Sequence, residues 1–152
     1  MTTAPKVDEA PDFFTIGYSG KTIFSFVHAL MQAGVASLID VRYNAVSMYK
    51  PDFSRRNLAR ALGEAGIEYI HMPDLGVPSD IRGLAEASGR REDIWDWYDE
   101  NVLPQYSRNL DWFFNSANHP VALMCTEKDR DDCHRHLIAD ALGRQGLSSA
   151  DL

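Results

Sequence analysis

The chain has 152 residues, enough for one domain with a real core and too few for two comfortable ones. Apolar residues at 45% and charged residues at 24% are ordinary for a soluble globular protein, and no apolar run approaches a membrane span. The net charge of −7 argues against loose, charge-driven binding to nucleic acid, and two cysteines make no disulfide framework.

A reducing cytoplasm is therefore the expected compartment, and the N-terminus lacks the basic-then-apolar pattern of a signal peptide. An anionic ligand remains compatible with the charge, because the basic residues cluster at Arg55-Arg56, at Arg90-Arg91 and between Lys128 and Arg135. Residues 1–11 are polar and aperiodic and read as a disordered tail. A single α/β domain is expected over 12–145, and a short C-terminal tail over 146–152.

Phe13 to Ile16 reads as a short buried strand ending at Gly17-Tyr18-Ser19-Gly20. Ile23, Phe24, Val27, Leu30 and Met31 follow at helical spacing, with Thr22 or Ser19 as the cap and Gly34 as the stop. Residues 36–41 (ASLIDV) make a second buried strand, closed by Arg42. After an irregular loop, Ser54 is placed to cap a helix built on Leu58, Ala61, Leu62 and Ala65 that stops at Gly66. Residues 67–72 (IEYIHM) form a third strand, followed by a Pro/Gly-rich turn and a short helix over 81–88. Two further helices, 92–102 and 105–116, meet at Pro104 and carry Trp95, Tyr98, Trp112 and Phe113. So much bulk is expected either to complete the core or to form the contact of a homodimer.

The segment from Val121 to Leu142 organises the rest. Val121 to Met124 suits a buried strand, residues 125–129 turn polar, and Leu137, Ile138, Ala141 and Leu142 recur at helical spacing. Strands alternating with helices predict a mostly parallel sheet of about four strands with helices on both faces, a single three-layer domain. In such a sheet ligands bind beyond the carboxyl ends of the strands.

The candidate site residues all fall at that edge. Gly17, Tyr18 and Ser19 form a strand-to-helix turn that suits either an anion or a plain cap, and neither a Rossmann fingerprint nor a P-loop is present. Asp40 and Arg42 share one side of the second strand, as an ion pair or as an arginine aimed at an anion. His71 ends the third strand. In the last loop, Cys133 beside His134 and Arg135 is expected to favour its thiolate. Glu127 and His134 are the proton-handling candidates, and Lys128 and Arg135 the anion contacts. The bland alternative is a capped helix start with internal salt bridges and a small buried cysteine. Cys125, Cys133, His134 and His136 do not match a metal-site spacing, so neither metal nor cofactor is expected.

These blocks carry a resemblance. Residues 15–19 (TIGYS), 40–42 (DVR), 51–53 (PDF), 66–71 (GIEYIH), Leu75-Gly76, 125–128 (CTEK) and 133–135 (CHR) resemble, in order, the domain of unknown function family 488. The resemblance implies one compact α/β domain and brings no reaction with it. Met48 and Val77-Pro78 depart from the family's habit, in loops expected to shape substrate choice.

The leading expectation is a small cytoplasmic enzyme acting on an anionic, nucleotide-like or phosphorylated substrate by hydrolysis or group transfer. Arg42 and Arg135 would hold the anion, Glu127 and His134 would move protons, and Cys133 would be nucleophile or polarising thiol. A non-catalytic module sensing a small anion or a nucleic-acid end is the second expectation. A nuclease-like or glycosidase-like activity on nucleic acid is the third, and the acidic charge makes it the least favoured. No membrane partner is expected.

Overall fold

Four short, largely apolar runs and the C-terminal triplet form the sheet of the computed structural model: β1 (Phe13–Gly17), β2 (Ser37–Asp40), β3 (Glu68–His71), β4 (Val121–Cys125) and β5 (Ser149–Asp151). They pair in the order β3-β2-β4-β1-β5, and every pairing is parallel. The structure describes residues 11–106, 117–126 and 135–152. The described helices are α1 (Ile23–Gln32), α2 (Arg55–Glu64), α3 (Ser79–Ser88), α4 (Glu92–Asn101), α5 (Leu103–Tyr106) and α6 (Arg135–Arg144). The architecture is thus an α/β sheet covered on both faces.

Burial explains which runs became central strands. β1, β2 and β4 are buried along their whole length, as parallel strands covered on both sides must be. Alternation then sorts their side chains between two cores. Phe14, Ile16, Leu38, Ala122 and Met124 pack with Phe26 and Leu30 of α1 and Leu58 and Leu62 of α2. Phe13, Ile39, Val121 and Leu123 pack on the other face with Tyr98 of α4 and Ile138 and Leu142 of α6. Tyr98 is completely buried, and its hydroxyl donates to the Leu75 carbonyl at 2.7 Å, which ties α4 to the turn after β3.

The sheet has five strands rather than about four. β5 arises in the stretch expected as a tail, and its alternating apolar signal is weak because it is an edge strand of three residues. Its anchors are polar: Thr15 donates its hydroxyl to Asp151 at 2.6 Å, and the amide of Leu152 donates to the Thr15 carbonyl at 2.8 Å.

Two local expectations shift as well. Helix α1 has the expected cap, Thr22, which forms a capping box with Ser25, but Phe26 and Leu30 are its buried residues. Phe24 and Met31 point outward, 79% and 55% exposed. Ser54 occupies the N-cap position of α2 yet spends its hydroxyl elsewhere, accepting from the Ser47 amide and donating to the Ser47 carbonyl.

Topology places the switch point. From β2 the chain runs through α2 outward to β3, whereas from β4 it runs through α6 across β1 to β5. β2 and β4 are neighbours, paired Asp40 to Met124, and α2 and α6 lie in opposite cores. Adjacent strands whose continuations diverge onto opposite faces open a gap at their carboxyl ends, the switch point of an open α/β sheet.

Candidate functional site

Strand alternation sets the side chains at this gap. Leu38 pairs with Tyr69 and Asp40 with His71, so Tyr69 and His71 share a sheet face with Asp40 and Arg42. Tyr69 donates its hydroxyl to Oδ2 of Asp40 at 2.6 Å. Arg42 grips the same carboxylate with a fork: Nε donates to Oδ1 at 2.9 Å and Nη2 to Oδ2 at 2.7 Å. The Arg42 amide adds a third bond to Oδ1 at 3.1 Å. Both residues are buried, at 0% and 2% exposure. His71 Nε2 lies 2.7 Å from the Arg42 carbonyl, which only accepts, so Nε2 carries the proton.

Two aromatic rings complete the cradle. The Arg42 guanidinium sits 5.3 Å from the centre of the Tyr18 ring, within cation–π range, and Tyr18 stacks on Phe53 at 4.6 Å. The Tyr18 amide donates to the Cys125 carbonyl and the Ser19 amide to the Thr126 carbonyl. The turn after Gly17 therefore spends these two amides on bracing the loop after β4, and Tyr18 enters the site through its ring. Behind Arg42 the turn after β3 approaches closely, because a Cβ on Gly76 would collide with the backbone N and Cα of Tyr43.

Burial by itself disfavours the guanidinium's charge, and the hydrogen bonds and attraction of Asp40 more than offset it, so the pKa of Arg42 is raised. Burial, and then the charge and hydrogen bonding of Asp40, push the Tyr69 hydroxyl well above its ordinary value. Tyr69 therefore remains a proton donor to Asp40 throughout the neutral range. Asp40 is saturated, whereas Arg42 is not. Nη1 is sealed from solvent and has no hydrogen-bond partner. A buried donor left this way costs about 1–3 kcal/mol, and native proteins rarely tolerate one.

Of the expected site residues, Gly17, Tyr18, Ser19, Arg42 and His71 converge on this edge. Glu127, Lys128, Cys133 and His134 lie outside the described residues, and only the backbone of Arg135 is described, at the start of α6. Cys125 is disulfide-bonded, so its thiol is not available as a ligand or nucleophile. Among the described residues no group of three or more His, Cys, Asp or Glu side chains is gathered as a metal site requires. His136 instead packs in a T-shaped arrangement with Trp95, with ring centres 4.9 Å apart. Sequence reasoning missed Tyr69 and Phe53. Tyr69 was within reach, since it stands two residues before His71 on the same strand face.

The fold and the edge-of-sheet cradle define a parallel α/β protein with a buried Asp40–Arg42–Tyr69 cluster at its switch point. The profile of the family described as domain of unknown function DUF488 matches residues 22–142, most of the chain, and the protein belongs to that family. No curated protein and no solved structure matches it.

Proposed function

We propose that this protein is a small cytoplasmic enzyme acting on an anionic substrate, nucleotide-like or phosphorylated, by hydrolysis or group transfer. The observation that supports this reading is the unmatched Nη1 of Arg42 at the switch-point crevice. Asp40 and Tyr69 hold the guanidinium rigid, leaving the two N–H groups of Nη1 to meet an oxyanion. Nη1 is covered, so an anion reaches it only when neighbouring side chains part. Arg135 and Lys128 would add charge from the loop after β4, Glu127 and His134 would move protons, and Cys133, in the reduced protein only, would act as nucleophile or polarising thiol. No bound cofactor or metal is part of this proposal. Cys125 is oxidised here, and the reducing cytoplasm would regenerate thiol, so assays are run with and without reductant.

The second reading, a binding module without turnover, draws on one feature: Asp40 is saturated by Arg42 and Tyr69 and offers no free lone pair as a base. A thermal-shift screen of nucleotides, sugar phosphates and inorganic anions tests the shared core of both readings. A hit should stabilise the wild type, and Arg42→Lys, which keeps the charge opposite Asp40 but removes Nη1, should lose about ten- to hundred-fold in affinity. Equal stabilisation of both proteins would rule out Arg42 as the anchor. Turnover of the hit, abolished by Glu127→Gln, separates the enzyme from the module.

A further inference from the structure

Between β2 and α2, the chain exposes apolar side chains that a loose loop would explain and this loop does not. Val46, Met48 and Tyr49 are 62%, 87% and 99% exposed, and Tyr43, next to Arg42, is 47% exposed. The backbone beneath them is held at both ends. The Arg55 amide donates to the Ala45 carbonyl at 2.7 Å, Ser47 and Ser54 exchange bonds, and the Lys50 amide donates to Oγ of Ser47. Lys50 Nζ donates to the Lys21 carbonyl at 2.7 Å, and Phe53 is driven into the core beneath Tyr18. The loop is thus a braced platform that turns its tyrosines and methionine outward.

Charge distinguishes the platform from the rest of the molecule. Residues 43–60 carry Lys50, Arg55, Arg56 and Arg60 against the single carboxylate Asp52, in a chain whose net charge is −7. Arg55, Arg56 and Arg60 are exposed, and among the described residues none of the three makes an ion pair. Exposed rings on the loop, followed in the chain by unneutralised guanidinium groups on α2, match a partner that alternates planar bases with phosphates. Stacking on aromatic rings and tracking of the backbone by cations is how single strands are held without base reading. Tyr43 directly follows Arg42 in the chain, which links this surface to the proposed anion contact.

We propose that the 43–60 surface docks single-stranded nucleic acid and that the anionic substrate of the crevice is a nucleotide of that strand. This rests on the crevice reading for its second half. The overall acidity confines the contact to this patch and disfavours a duplex, whose stacked bases offer the tyrosines no exposed face.

Fluorescence anisotropy of the full chain with a labelled single strand of about 12 nucleotides, DNA and RNA separately, tests it. At low salt the wild type should bind a single strand more tightly than the matching duplex. Tyr49→Ala, at a position too exposed to disturb folding, should weaken binding about tenfold. Arg55→Gln with Arg56→Gln should flatten the dependence of log affinity on log salt by about 0.7 per lost phosphate contact. Absence of strand binding by the wild type at low salt would overturn the proposal. So would binding that ignores Tyr49→Ala, since that is mere polyanion exchange. Capture by anionic lipid vesicles in place of the strand, lost on Tyr49→Ala, would reassign the platform to a membrane surface and equally overturn it. Strand binding with no small-anion shift at Arg42 would remove the crevice reading and leave the docking surface. Small-anion shifts without strand binding would do the reverse.

Discussion

Asp40 accepts four hydrogen bonds, three of them from Arg42, and the pair is removed from water. Taking one partner away strands the other's charge in the interior. Asp40→Ala should therefore destabilise the protein by about 3–5 kcal/mol in denaturant unfolding, while Asp40→Leu combined with Arg42→Met should recover much of that loss. A double variant as unstable as the single one would mean that the pair itself stabilises the fold. Tyr69 adds a pH signature. An unfolded tyrosine ionises near pH 10.0, whereas folded Tyr69 keeps its proton to higher pH. The raised value means its stabilising contribution is complete below about pH 10 and is lost as pH rises above it. In unfolding curves collected across the alkaline range, the wild type should lose stability faster than Tyr69→Phe. Ser37 provides the contrast with Arg42. Its hydroxyl is also buried without a partner, but it opens β2 at the edge opposite the crevice, where nothing suggests a ligand. Ser37→Ala should thus be neutral or slightly stabilising in the same assay.

In the first helix, apolar spacing was right for Ile23, Val27 and Leu30, which pack on the core, and misled at Phe24 and Met31. In α1 the positions 23, 24, 27, 30 and 31 form an apparent stripe, yet the core selects Phe26 and Leu30 and leaves Phe24 and Met31 outside. A ten-residue helix with apolar residues nearly all round satisfies several phases, and only the neighbouring α2 and sheet decide among them. Phe26→Ala should cost about 3–5 kcal/mol, and Phe24→Ala should cost little, because only the first leaves a cavity. Comparable losses from both would mean that Phe24 is covered by something in solution. At Gly76 the backbone of Tyr43 occupies the space any side chain would take, so Gly76→Ala should destabilise by about 1–3 kcal/mol and loosen the loop that carries Arg42.

Across the whole molecule, the parallel sheet was readable because β1, β2 and β4 are continuous apolar runs bounded by turn residues, the pattern that burial on both faces demands. β5 was not readable, since Ser149, Ala150 and Asp151 hold the sheet edge mainly by backbone pairing and the Thr15–Asp151 bond. The site was half legible. A strand's two-residue repeat sufficed to put Asp40 beside Arg42. The join to Tyr69 depends on the pairing of β2 with β3, which no local pattern encodes. Likewise the oxidised state of Cys125 depends on which residues the fold brings together, and composition pointed instead to free thiols.

The anion contact proposed for Nη1 of Arg42 lies at the switch point between β2 and β4. Arginine side-chain NMR, titrated with inorganic phosphate, tests it most directly. The Asp40 fork should hold the Arg42 guanidinium in one orientation with slow proton exchange, giving resolved Nη signals. The Nη1 signal of Arg42 should shift and saturate with phosphate, and Tyr69→Phe should weaken the response without removing it. Saturating shifts confined to the exposed Arg55 and Arg56, with Arg42 unmoved, would contradict the proposed contact.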